Sequence, residues 1–383
     1  MGAGLSFQHL AAEFRLHCGE DSLTALAKEL KRSGCGRAVV VSGRSVSASP
    51  AMDPLRSALG PLVVGESTSV RPNSPVQTVE EIARVLREQE ADAVIAVGGG
   101  SAAVTGRAAA VLLAEQRPAR ELCTRRLPNG QFDSPRLDAP KLPQFVVPTT
   151  PSTAFVKAGS AVHDEDTGER LALFDPKTRA RALFLHPEFL CSSPANLVQG
   201  AALNTLSTAV EALESPKCDP ISEAMLMHAL RLVARHIGRM EPDDLAAREY
   251  LVIAAVLCGR GTEQAGGGLA SVLAHAIGHR AHVSNGIVNA IVLPHTMRFN
   301  TSATGATTTR IAESLGHAQT AAADVLEALL TPLPIPHRLR ELGLAQVDLD
   351  AIATAAMSDF FISRSPRRVQ GVADVRGILD AAW

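Results

Sequence analysis

Aromatic side chains are scarce: Phe, Tyr and Trp make up 3% of the 383 residues, with one Tyr and one Trp. The core is therefore expected to be aliphatic. Paired cysteines are lacking too. The six (Cys18, Cys35, Cys123, Cys191, Cys218, Cys258) are scattered with no C-x-x-C spacing. That excludes a disulfide framework or a zinc ribbon and predicts reduced thiols in a cytoplasmic protein. No basic run interleaved with aromatics occurs and the formal charge is −2, so nucleic acid is not an expected partner. No apolar run reaches membrane-spanning length, and MGAGLSFQHLAAEF lacks the basic flank and apolar stretch of a signal peptide. Repeats and low-complexity tracts are missing as well. The remaining expectation is a soluble, intracellular chain, long enough for two domains.

Against these absences one stretch stands out, AVIAVGGGSAAVTGRAAA from Ala93 to Ala110. Ala93–Val97 is an unbroken apolar run, as a buried parallel strand requires. Gly98, Gly99 and Gly100 turn the chain, and Ser101 is placed to cap a small-residue helix from about Ala102 to Glu115. A strand, a glycine turn and a helix N-terminus gather backbone N–H groups and a positive dipole end at one point, which suits a phosphate. A tight strand-to-helix connection with no ligand would use the same residues.

Strands and helices alternate on both sides of this unit. RAVVV (37–41), Leu62–Val64, Phe145–Val147 and RALFL (181–185) read as strands, and Ala161–Phe174 as a hairpin turning at Asp166-Thr167-Gly168. Asp21–Arg32, Pro54–Leu59 and Val76–Gln89 read as helices, and Pro118–Pro143, with Pro-Asn-Gly at 128–130, as a surface excursion. This alternation predicts an α/β, Rossmann-like domain with a parallel sheet over residues 1–186. After Pro187 helical periodicity takes over, in segments such as Asn196–Leu213, Gly268–Ala281, Asn285–Phe299 and Thr308–Leu315. An all-α domain is expected over 187–383, with the binding site in the cleft between the two at the carboxyl ends of the strands.

GGGS at 98–101, Pro72-Asn73, PTT at 148–150, AALNTLSTAVEALES at 201–215, GIVNAIVLPHTMRFN at 286–300, RELGL at 340–344 and SPRRV at 365–369 occur together. With them the chain resembles the iron-containing alcohol dehydrogenase superfamily, including its maleylacetate reductase branch, from end to end. That resemblance implies NAD(P)H as cofactor and a homodimer or higher oligomer. It places Gly98, Gly99, Gly100 and Ser101 on the pyrophosphate, Thr149 and Thr150 on the adenine and ribose side, and Asn73 near the cofactor. Where the family often sets an aspartate on the ribose hydroxyls, this chain has Ser42, Gly43 and Arg44. Loss of that carboxylate removes repulsion against a 2′-phosphate, and Arg44 can pair with it; a solvated turn arginine is equally consistent.

The pattern breaks at the metal. The four ligand positions of the family fall on Asn204, Thr208, Ser271 and Asn285, and neutral amide and hydroxyl oxygens do not replace carboxylate and imidazole for iron or zinc. Val104 and Arg107 also stand where the family has an acid and a lysine. His275, His279 and His282 could rebuild a site from one helix face, although no carboxylate accompanies them at ligand spacing, and His295 reads as structural. The expectation is therefore a metal-independent NAD(P)-dependent oxidoreductase acting on a carbonyl or secondary alcohol, possible substrates including keto or hydroxy acids and specialised biosynthetic intermediates. In it His275 moves the proton, and Asn204, Thr208, Ser271 and Asn285 are neutral hydrogen-bonding groups. The alternative is a catalytically degenerate homologue that serves as a binding or scaffold partner.

Overall fold

Short apolar runs flanked by helices build the first half of the chain. The computed structural model describes residues 6–127, 131–241 and 243–383, apart from the side chains of Arg126, His279 and Phe360. Among them, six strands form one parallel sheet: β1 (Arg15–Cys18), β2 (Ala38–Val41), β3 (Val63–Ser67), β4 (Ala93–Gly98), β5 (Gln144–Pro148) and β8 (Ala180–Leu185). Their order is β1-β8-β5-β4-β2-β3. The hairpin pairs β6 (Gly159–His163) with β7 (Arg170–Phe174), antiparallel. The Pro-Asn-Gly step of the expected surface excursion lies outside the described residues.

Both faces of the sheet are covered, which is why its central strands carry no polar alternation. Val40, Ile95, Val97, Phe145 and Phe184 pack against α1 (Ser22–Arg32) and α2 (Met52–Leu59). Val39, Val41 and Val94 point the other way, toward α3 (Val76–Glu88) and α4 (Gly100–Glu115). Strand β1 was not anticipated. Its four residues alternate between half-buried and exposed, and only the edge of β8 makes them a strand.

The α/β unit runs from Ala12 to Pro194 and includes the short helix Pro187–Cys191. The second compact unit, Ala195–Trp383 together with residues 6–11, is helical. It contains α5 (Ala195–Glu214), α6 (Pro220–His236), α7 (Leu245–Gly261), α8 (Leu269–Ala281), α9 (Asn285–Ser314), α10 (Ala322–Leu330), α11 (Asp348–Ala356) and α12 (Val372–Ala382). Helix α9 corrects an expectation of two helices: it continues for 30 residues through NTSATGATTTR. The hydroxyls of Thr301, Thr304 and Thr309 donate to carbonyls one turn back, and buried Thr304, Ile311 and Ala312 hold this weak helix former against the core.

Candidate functional site

The glycine turn closes differently from its expected form. Helix α4 begins at Gly100, Gly99 is its N-cap with extended backbone, and no side chain caps it, so Ser101 lies inside the first turn. Gly98 has φ 144°, a conformation that disfavours a side chain. A Cβ on Gly99 would stand 2.8 Å from Thr150 Oγ1, and one on Gly100 would stand 2.6 Å from Ser152 Oγ. The bare backbone thus leaves a cradle at the start of a 16-residue helix, rimmed by hydroxyls.

Neighbouring strands bring the other cofactor candidates to this end of the sheet. Val41 pairs with Ala96 and Gly98 with Pro148, so Ser42 after β2, Gly98 at the end of β4 and Thr149 after β5 lie at the ends of three adjacent strands. The Thr149 N–H donates to the Gly98 carbonyl at 3.1 Å. Thr149 and Ser42 are buried, while Arg44 opens a one-turn helix and is exposed. Asn73 and Ser74 both adopt left-handed backbone, at φ 63° and 51°. Ser74 Oγ donates to the Ser101 carbonyl (3.3 Å) and accepts from Thr105 Oγ1 (2.9 Å), which fastens exposed Asn73 beside the first turns of α4.

Arg107 reinforces the loop behind the cradle. It is fully buried, and burial, with Arg179 adding, pushes its pKa down to about 10. Its Nε donates to Ser160 Oγ (3.0 Å) and its Nη1 to the carbonyls of Ala154 (3.0 Å) and Lys157. The guanidinium ties the segment after Thr150 to α4.

In the helical unit a polar stripe runs along α5, whose Asn204, Thr208, Glu211 and Glu214 recur at helical spacing. Gly286 lets α9 reach the α5 backbone, since a Cβ there would overlap the Gly200 carbonyl. Asn289 Nδ2 donates to Asn204 Oδ1 (3.1 Å), and Thr208 Oγ1 donates to the Asn204 carbonyl (2.7 Å). Glu211 meets the N-terminus of α8: its carboxylate accepts the Ser271 N–H at 2.8 Å and the Ser271 hydroxyl at 2.5 Å. Burial raises the Glu211 pKa, opposed by Ser271 and by the N–H groups of Gly268 and Ala270. Glu214, one turn on, accepts from Asn300 Nδ2 at 2.8 Å through one oxygen, and its other oxygen has no partner among the described residues. Burial raises the Glu214 pKa to about 8, with Asn300 opposing and Glu211 adding.

His275 lies one turn beyond Ser271 on α8 and is half-buried. Its Nδ1 is 2.8 Å from Asp359 Oδ2, and Asp359 Oδ1 accepts the Phe361 N–H at 2.8 Å. Asp359 Oδ2 is placed to accept a hydrogen bond from the Nδ1–H tautomer of the ring. Asp359 was missed in the sequence, being 84 residues from its partner. His282 is not on the same helix face: α8 ends at Ala281 and His282 is an exposed left-handed C-cap at φ 53°. The side chain of His279 lies outside the described residues. His295 lines a small cavity on α9 with His337, Arg338 and Glu327.

Comparison with known proteins decides the lineage. The profile of iron-containing alcohol dehydrogenases matches residues 14–187, and that of the C-terminal part of the Fe-containing alcohol dehydrogenase family matches residues 200–383. The chain belongs to the iron-containing alcohol dehydrogenase family. Lactaldehyde reductase of Escherichia coli K12 is 26% identical over 377 residues, spanning 95% of this chain and 97% of its own. Maleylacetate reductase of Rhizobium sp. strain MTP-10005 is 28% identical over 98% of this chain and 97% of its own. The crystal structure of maleylacetate reductase from that strain superposes with a TM-score of 0.82 at 26% identity, covering 99% of this chain and 98% of its own.

Iron-containing alcohol dehydrogenases imply a divalent ion, and the four residues that the resemblance sets at its ligand positions, Asn204, Thr208, Ser271 and Asn285, do not suit one. Thr208 and Ser271 commit their hydroxyl protons to the Asn204 carbonyl and to Glu211. Asn204 Oδ1 accepts from Asn289, and exposed Asn285 sets its Oδ1 beside Gly278. All four are neutral, and three are already engaged with protein groups. Such a set is a poor host for iron or zinc.

Proposed function

We propose that this protein is a nicotinamide-dependent dehydrogenase or reductase that works without the family's divalent ion, with His275 as its acid–base group. The His275–Asp359 pair carries the proposal, set against a donor set that does not suit a metal. The relatives are dehydrogenases and reductases, among them an NAD-dependent methanol dehydrogenase. A nicotinamide ring supplies or accepts a hydride at the carbon of a C–OH or C=O group. Reduction adds that hydride to carbon and one proton to oxygen, and oxidation removes both.

This chain's own residues would do the rest. Gly98, Gly99, Gly100 and Ser101 offer backbone N–H groups at a helix N-terminus to the pyrophosphate. Thr149, Thr150, Ser42 and Asn73 sit around that point, and Arg44 offers a charge to a 2′-phosphate. His275 Nε2 holds the transferred proton, and Asp359 fixes the ring by its Nδ1–H and stabilises the imidazolium form. Asn204, Thr208, Ser271 and Asn285 supply polar, uncharged surroundings.

The deciding experiment treats the protein with chelator and titrates it with NADH and NADPH by fluorescence, then assays aldehyde reduction with and without added Fe²⁺ or Zn²⁺. Micromolar nucleotide binding and turnover indifferent to the ions are expected. Turnover that appears only on adding an ion refutes the metal-free mechanism. Failure to bind either nucleotide refutes the enzyme reading and favours a non-catalytic binding partner.

A further inference from the structure

One buried charge of the α/β unit has no counter-charge. Arg107 is fully buried on α4, and among the described residues no carboxylate pairs with it. Its Nε and Nη1 donate to Ser160 Oγ and to the carbonyls of Ala154 and Lys157, all neutral acceptors, and its Nη2 has no partner among the described residues. Burial lowers its pKa, with the positive charge of Arg179 adding, but only to about 10, so the guanidinium stays charged at neutral pH. Lys141, whose side chain is buried in the same unit, has the usual arrangement for such a cation: Glu115 at 2.5 Å and Asp175 at 3.0 Å neutralise it. A buried cation without partners of that kind is costly to keep.

The glycine cradle lies within the field of this charge. A Cβ on Gly100 would stand 3.9 Å from Ala154 Cβ, and the Ala154 carbonyl accepts from Arg107 Nη1 at 3.0 Å. Only the span of one residue separates those two contacts, so the guanidinium lies within about 10 Å of the turn. Helix α4 is buried over that stretch, at Ala102, Ala103, Thr105 and Gly106, which leaves the field weakly screened. Through packed protein at about 10 Å, one unit charge alters the affinity for an anion on the order of tenfold.

We infer that Arg107 is the counter-charge for phosphate held in the glycine cradle, and that it selects a pyrophosphate-bearing nucleotide over an uncharged one through its field, without touching the ligand. This rests on the cradle being the pyrophosphate site of the cofactor. Arg107 is then a positioning residue: it fastens the segment after Thr150 to α4, and the bound phosphates supply the negative charge that its own surroundings lack.

Calorimetry with adenosine, AMP, ADP and inorganic pyrophosphate tests this in wild type, Arg107→Gln and Arg107→Lys, each checked for folding by circular dichroism. Wild-type affinity should rise from adenosine through AMP to ADP. Arg107→Gln keeps a donor for the carbonyls but no charge. It should weaken ADP and pyrophosphate about ten- to a hundredfold, AMP less, and adenosine not at all. Arg107→Lys should recover most of the loss. Equal losses for adenosine and ADP, or none for either, overturn the inference while the cofactor reading stands. If Arg107→Gln does not fold, Arg107→Lys decides by pH. A buried amine gives up its charge at lower pH than a guanidinium, so its ADP affinity should fall from about pH 7.5 to about 9 while that of wild type holds. Parallel profiles overturn the inference. Titration with NADH and NADPH separates the two readings. Pyrophosphate binding that depends on Arg107, with neither dinucleotide bound, upholds the counter-charge and sinks the oxidoreductase. Failure to bind any of these ligands overturns both.

Discussion

Replacing Glu214 with Gln should make the helical unit more stable in base than it now is. Glu214 closes α5 in a buried setting, and one of its carboxyl oxygens has no partner among the described residues. Burial lifts its pKa from 4.5 to about 8. The folded state therefore keeps a proton that the unfolded chain releases, and the associated stability is fully present below pH 4.5 and lost as pH rises through about 8. At about 1.4 kcal/mol per unit, the shift amounts to roughly 5 kcal/mol over that window. Gln is isosteric, retains an oxygen for Asn300 and does not ionise. Trp383, the single tryptophan, packs against the core of the same unit, so its fluorescence follows that unit's unfolding. Urea midpoints should be measured for both proteins from pH 4.5 to 9. The wild type should fall relative to Glu214→Gln by up to about 5 kcal/mol, most steeply from pH 5 to 8, with the variant the more stable at pH 9. Curves separated by a constant amount at every pH would refute a buried, protonated Glu214.

Gly100→Ala sets a methyl against Ser152 Oγ inside the cradle. It should weaken NADH and NADPH binding about tenfold or more, read by fluorescence titration, and leave the unfolding of Trp383 unchanged. Arg44→Ala should weaken NADPH binding about three- to fivefold and spare NADH, because an exposed charge pair contributes 1 kcal/mol or less; the difference should shrink in high salt. Asp359→Asn should lower kcat about a hundredfold or more with KM for the oxidised substrate little changed, since His275 loses the partner that fixes its ring. A matching rise in KM would assign Asp359 to binding instead.

The central strands were legible because a strand buried on both faces is written as an unbroken apolar run, as in AVIAVG. Strand β1 was not, because RLHC alternates over four residues and owes its pairing to β8. Threonine, serine and glycine in NTSATGATTTR argued for a break that packing overrode. The same split holds at the site. The glycines of the turn follow from residue type and position. The start of α4 at Gly100 rather than Ala102 required the backbone itself.

From the sequence alone came an aliphatic α/β half, a helical half and a glycine turn between a buried strand and a helix. Each depends on neighbours within a few residues or on residue identity. Tertiary structure decided that Asp359 meets His275, that Glu211 meets the N-terminus of α8, and that Glu214 is buried where desolvation raises its pKa. These are contacts between distant segments, and desolvation is a property of what packs around a side chain, which no local pattern encodes.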